Sequence, residues 1–403
     1  MHPPAGRRMR RPDNSIGDVA SPPMANPLTA FTLEQLRERS SAKWRMHPPD
    51  VLPLFVAEMD AALAEPVVAA VCAAMESGDT GYPSGTAYAE ALAAFAAEHW
   101  SWSFDVAASA SVPDVMRGVA ALVGLLTDPG DAVVLNSPVY HPFYMYLNHM
   151  GRRIVEAPLG EDHRIDAGAL EAALADAAAG PGRRALLLCN PHNPTGTVHT
   201  REELESAGEL AAAYGARVIV DEIHAPLVYA PAAHVPYLSL GAGANAFVLL
   251  SASKGWNLAG LKAAVAVAGP DAVAELATLP VEVSHGASHI GVIAHTAALR
   301  GGGPWLAELL AALDGNRGLL AQLVSERLPG VRYEPPAGTY LAWLDCRELG
   351  VGDDPAPFFL ERARVALNSG PAFGTGGAGH VRLNFATSPE ILDEALARMA
   401  AAL

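Results

Sequence analysis

Between Ala132 and Gly269 the chain repeats one pattern, short apolar runs separated by longer Ala-, Leu- and Glu-rich stretches. The runs are AVVLN (132–136), RRIVEAP (152–158), ALLLCN (185–190), RVIVDE (217–222), FVLLS (247–251) and AAVAVAG (263–269). Strands that are apolar on nearly every residue must be covered on both faces. When helices alternate with them, the arrangement that does this is a mostly parallel sheet with helices on either side. The expected fold class is therefore α/β. After Gly291 the texture changes. Helices are expected near 291–299 and 304–328, then GTYLAWLD (338–345), a helix near 355–366 and VRLNFA (381–386), which together read as a smaller α+β domain. The expected organisation is a disordered tail over 1–25, an N-terminal segment over 26–60 joining the small domain, a large domain over 61–290 and the small domain over 291–403.

The tail is rich in Arg and Pro and lacks an apolar stripe; no hydrophobic segment follows its RRMRR cluster, so it does not read as an export signal. Met24 offers a second possible translation start. A formal net charge of −16 argues against nucleic acid and acidic membranes as partners. The three cysteines, Cys72, Cys189 and Cys346, are far apart without metal-ligand spacing and fit a reducing cytosol.

Several runs end in polar residues: Asn136-Ser137, Asn190 to Asn193, Asp221-Glu222 and Ser251 to Lys254. Turn chemistry alone explains any one of them. Ligands of open α/β sheets, however, bind beyond the carboxyl ends of the strands, so these residues are candidates for one pocket. The stretch SASKGWNLAGLK (251–262) places Lys254 directly after a buried-looking strand, a setting that suits a lysine forming a covalent bond with an aldehyde cofactor. Pyridoxal phosphate (PLP) would need a partner for its ring nitrogen, a donor to its ring oxygen, phosphate ligands and a flat side chain against its ring.

The chain has a candidate for each. Asp221 is a carboxylate at the end of an apolar strand and can hold the pyridine nitrogen protonated, or simply cap the next helix. Glu222 is expected to face the other way by strand alternation. Asn193, in the rigid turn NPHNPTG (190–196), can donate to the ring oxygen, with His224 as a second partner. Ser251, Lys262 and backbone N–H groups at the start of the helix following SVPDVMRG (111–118) are phosphate candidates. Tyr140 is a stacking candidate or an interior aromatic. Arg382 can grip a substrate carboxylate bidentately, or lie on the surface. A metal-hydrolase reading of His285 and His289, four apart, is weak because Gly286 lies between them and no carboxylate completes a motif.

SASKGWNLAGLK, NPHNPTG, VDEIHAPLV and VRLNFA together resemble the motifs of fold-type I PLP enzymes, the aspartate aminotransferase superfamily, in order and spacing. The resemblance runs from about Phe31 to the C-terminus. LPLFVAEMD (52–60), GYPSGTAYAEALAAF (81–95), DEIHAPLV, GNRGLL (315–320) and GTYLAWLD are similar to the MalY/PatB group of cystathionine β-lyases. This resemblance implies a seven-stranded-type sheet and a cytoplasmic homodimer in which Tyr82 reaches the phosphate of the neighbouring subunit's cofactor. It also implies that the backbone of Val115 and Met116 binds phosphate. The implied reaction is α,β-elimination from L-cystathionine or a related cysteine S-conjugate to a thiol, pyruvate and ammonia, with Lys254 as the base. An aminotransferase using the same residues is the alternative. Three positions depart from the pattern: Lys262 replaces a common arginine, Asp114 replaces a small residue, and MDAALAEP (59–66) lacks an aromatic after Met-Asp.

Overall fold

The computed structural model describes residues 26–403. The tail expected over 1–25 and the alternative start at Met24 lie outside the described residues. The large sheet contains β1 (Ser109–Val112), β2 (Ala132–Leu135), β3 (Arg153–Glu156), β4 (Arg184–Cys189), β5 (Arg217–Asp221), β6 (Phe247–Leu250) and β7 (Ala264–Ala268). Its strand order is β1-β7-β6-β5-β4-β2-β3. Only β7 runs against the rest, pairing antiparallel with both β1 and β6. The sheet is thus mostly parallel, as the apolar runs require. Strands β2, β6 and β7 are buried along their whole length.

Strand β1 was not among the expected strands. Its sequence SASV has only one fully buried residue and no long apolar run, so only its pairing with β7 marks it as a strand. Among the described residues, the longer helices are α1 (Glu65–Ser77), α2 (Ala87–Trp100), α3 (Val115–Leu126), α4 (Pro142–His149), α5 (Ala167–Ala179), α6 (Arg201–Ala213), α7 (His289–Gly301), α8 (Gly303–Arg327) and α9 (Pro389–Ala401). Helix α6 starts with a full capping box between Thr200 and Glu203, and α9 is capped by Ser388. The first long helix of the C-terminal third, α7, packs along α1 and α2. Its residues after Gly291 therefore lie against helices that the sequence places in the large domain.

The C-terminal part builds a four-stranded antiparallel sheet in the order Asn368–Ser369, His380–Asn384, Leu341–Asp345, Arg332–Tyr333. Helices α8 and α9 pack together beside it. The helix expected near 355–366 is shorter: Pro355–Phe358 continues as a π-helical turn over Phe359–Ala363, and Val365–Ala366 is a strand. That strand pairs in parallel with Leu52–Pro53, which ties the N-terminal segment to the C-terminal part.

A buried ion pair holds the same segment. Lys43 Nζ lies 2.7 Å from Asp60 Oδ2, both side chains being almost fully enclosed, and Trp44 Nε1 donates to Asp60 Oδ1 at 2.9 Å. Removing one partner of such a pair leaves a charge that neither water nor protein compensates. We expect Lys43→Met to destabilise the protein by roughly 3–5 kcal/mol in urea unfolding, and Lys43→Met with Asp60→Leu to recover much of that loss.

Candidate active site

Because all strands but β7 run the same way, the carboxyl ends of β1, β2, β4, β5 and β6 share one edge of the sheet, and reversed β7 starts there. A cavity of about 380 Å³ opens at this edge, within the size range of small-ligand pockets. Lys254, Asp221, Asn193, His224, Tyr140 and Lys262 line it, together with Val115 and Met116 at the start of α3.

Lys254 sits on a short helical turn, Ala252–Gly255, that begins where β6 ends. Its Nζ donates to the Ala57 carbonyl at 2.8 Å, and the Tyr340 hydroxyl donates to the same oxygen at 2.9 Å. Burial, reinforced by the Arg382 charge, lowers the Lys254 ammonium to about 8. A much larger share of this amine is therefore neutral near physiological pH than for an exposed lysine.

Asp221 is the last residue of β5 and is 4% exposed. Its Oδ1 accepts from the Ile223 N–H at 3.0 Å, closing a turn rather than capping a helix. Burial raises its carboxyl to about 7, against the pull of that N–H and of Lys254. Glu222 faces the opposite way, as alternation requires: its Oε1 accepts from the Tyr237 N–H at 2.8 Å, and its Oε2 lies 3.5 Å from His234 Nε2.

The NPHNPTG turn follows β4. Gly196 in it adopts φ +70°, and a Cβ there would stand 2.2 Å from the Pro336 ring, so the turn closes against the C-terminal part only with glycine. Asn193 accepts from Arg382 Nη1 through Oδ1 at 2.9 Å, which leaves its Nδ2 without a protein partner among the described residues. Arg382 is buried on the His380–Asn384 strand. Its Nη2 donates to the Phe55 carbonyl at 3.0 Å and to Asn368 Oδ1 at 2.6 Å, while its Nε has no partner among the described residues. The guanidinium carbon lies 5.1 Å from the Phe373 ring centre. His224 is enclosed, with Nδ1 unpartnered, and burial holds its imidazolium well below the usual range. Burial also raises the Tyr140 hydroxyl to about 12, with Arg382 and Asp221 both close enough to act on it.

At the far end of the cavity, α3 begins inside the VPDVMRG motif rather than after it. Asp114 is its cap, accepting from the Arg117 N–H at 2.8 Å, and Val115 and Met116 are its first two residues. Lys262 Nζ lies 2.7 Å from Asp114 Oδ2, so two departures from the family pattern are partners.

Three expected residues, Ser251, Tyr82 and Arg382, are not among those lining the cavity; Arg382 is tied to it through Asn193. The Ser251 Oγ donates to the Ala263 carbonyl at 2.7 Å and accepts from the Ser253 N–H, so here the hydroxyl ties the end of β6 to the start of β7. Ser253, two positions on, lines the cavity instead. Tyr82 is 93% exposed and far from being enclosed by its own chain. His285 and His289 do not share a helix face: His285 Nδ1 lies 3.0 Å from the Val281 carbonyl, and His289 Nε2 lies 3.0 Å from Asp79. Ala57, Tyr340 and Cys189 belong to the site without having been singled out. The only sequence signal for Tyr340 was its place in GTYLAWLD.

Buried polar groups are normally satisfied, so several unsatisfied ones around one cavity point to a ligand. The set here is a buried carboxyl, an amide donor, a helix N-terminus with a lysine, and a buried amine. It fits a phosphorylated pyridine aldehyde. Because the fold raises the Asp221 carboxyl, its stabilising contribution is complete below the ordinary value of 3.8 and is lost as pH rises through about 7. In protein freed of cofactor, Asp221→Asn should therefore match the native protein near pH 4. By about pH 8 it should be more stable by up to ~4 kcal/mol, measured by urea unfolding at each pH.

The family model for aminotransferase class I and II matches residues 50–399. A Mycobacterium leprae protein named "Putative cystathionine beta-lyase" is 57% identical over 396 residues, covering 94% of this chain and 98% of that protein. Cystathionine beta-lyase PatB of Bacillus subtilis is 34% identical over 364 residues, covering 88% and 93%. The crystal structure of a "putative plp-dependent beta-cystathionase" from Corynebacterium diphtheriae superposes with a TM-score of 0.87 at 36% identity, covering 92% and 98%. The chain belongs to the class I and II aminotransferase family and, within it, to the group that includes the PatB-type cystathionine β-lyases.

Proposed function

We propose that this protein is a PLP-dependent carbon–sulfur β-lyase that cleaves L-cystathionine or related cysteine S-conjugates to a thiol, pyruvate and ammonia. The observation that carries the reading is the convergence of Lys254, Asp221 and Asn193 on one cavity, with Arg382 bonded to Asn193. The names of its relatives favour elimination over transamination.

When bound, PLP supplies an aldehyde that takes up amines and a protonated pyridine ring that draws electrons from the substrate's α-carbon. Lys254 is the residue that would attach it. Its Nζ, whose ammonium burial lowers to about 8, would accept the α-proton. Asp221 would hold the pyridine nitrogen; a cation there restores the ionised carboxylate that burial alone disfavours. Asn193 Nδ2 would donate to the ring oxygen, and Tyr140 would lie against the ring. Arg382, exchanging some of its present acceptors for the substrate carboxylate, would orient the α-carbon. Val115, Met116 and Lys262 would bind phosphate. Tyr82, exposed on its own chain, would complete the phosphate site of a second copy in a homodimer. The domain organisation we propose keeps residues 61–290 as the cofactor-binding part and joins residues 26–60 to the C-terminal part.

The deciding assay is incubation with L-cystathionine and no added 2-oxo acid. Steady release of pyruvate with one thiol per turnover is expected, whereas product that forms only when a 2-oxo acid is supplied would establish an aminotransferase. Lys254→Ala should abolish turnover together with the cofactor's protein-bound visible absorbance. Arg382→Lys keeps the charge but loses the planar fork; kcat/KM should fall roughly 10²-fold or more, mostly through KM. If the site is shared between subunits, mixing inactive Tyr82→Ala and Lys254→Ala proteins should restore up to about a quarter of native activity, from hybrid dimers carrying one intact site.

A further inference from the structure

The phosphate end of the cavity holds a negative charge where a dianion is to bind. Asp114 lines the cavity and caps α3, whose first N–H groups are the natural phosphate donors. Its Oδ1 is taken by the Arg117 N–H, and its Oδ2 is taken by Lys262 at 2.7 Å. Lys262 also lines the cavity, and its side chain is 58% exposed on the single chain. Among the described residues, no other lysine or arginine lines this cavity apart from Lys254, whose amine is committed to the aldehyde end.

We propose that Asp114 and the cofactor's phosphate compete for Lys262, so that Asp114 sets the affinity for PLP by withholding the lysine. This deepens the PLP reading and rests on it. A lysine is a point charge on a flexible stem and can serve either acceptor in turn, which the rigid fork of an arginine does less readily. The aspartate keeps the helix capped and the lysine offsets its charge. The phosphate must draw the lysine away, wholly or in part, to gain its attraction.

The test is the dissociation constant of PLP, read from cofactor absorbance or fluorescence quenching as PLP is titrated into enzyme stripped of it. Asp114→Asn retains a side-chain oxygen for the Arg117 N–H, and asparagine caps helices as well as aspartate does. It should bind PLP roughly three- to tenfold more tightly than the native protein. The gain should shrink to about twofold or less when Lys262→Met is already present, because there is then no lysine to release. Unchanged or weaker binding by Asp114→Asn overturns the proposal and leaves Asp114 as a helix cap only. An equal gain with and without Lys262 overturns it too, since simple repulsion between Asp114 and phosphate would then explain everything. Asp114→Ser, which also caps, repeats the test should the asparagine variant fold poorly. Failure of any variant, and of the native chain, to take up PLP would instead sink the cofactor reading itself.

Discussion

The Ala57 carbonyl, shared by Lys254 Nζ and the Tyr340 hydroxyl, is the contact on which the arrangement of the site turns. It belongs to an irregular segment whose carbonyls are nearly all taken by side chains. Phe55 O accepts from Arg382, Val56 O and Glu58 O from Asn384, Glu58 O also from Lys43, and Met59 O from Asn257 and Arg39. Backbone that forms neither helix nor sheet has to satisfy its polar groups in some other way when it is buried. Here the partners come from the N-terminal segment, the lysine turn and the C-terminal sheet. The segment therefore joins the three parts at the point where the candidate base and the candidate carboxylate ligand meet.

The same enclosure sets the chemistry. Burial moves Lys254 and Asp221 in opposite directions, the amine down and the acid up, so that both stand much nearer neutrality than they would in water. Each is thereby prepared for a different partner: the lysine for an aldehyde, the acid for a cation. Arg382 is enclosed, and three hydrogen bonds and its place over Phe373 compensate the burial, with Nε left without a partner among the described residues. Such a residue has acceptors in place and can still take a carboxylate in exchange for some of them.

Much of the site was legible because its residues sit immediately after strand ends. Lys254, Asp221 and Asn193 each follow a strongly apolar run, and a parallel sheet brings such positions to one edge. Ser251 illustrates the limit of that reasoning. It occupies a strand end too, but its hydroxyl is used between β6 and β7, and only the tertiary path of the chain shows that Ser253 is the one facing the cavity. Strand β1 escaped notice because its residues are small and partly exposed, and its identity depends on a partner far away in sequence.

Periodicity and strand-end chemistry by themselves determined the α/β class, the polar edge of the sheet and the residue types able to hold an aldehyde cofactor. These follow from local rules of burial and turn formation that act over a few residues. Only the tertiary structure decided which of these side chains meet. The pairing of Asp114 with Lys262, the bond from Arg382 to Asn193, and the placing of Ala57 and Tyr340 beside Lys254 all join distant parts of the chain. Such contacts depend on how separately formed elements pack, and packing is decided by the whole core rather than by any stretch of sequence.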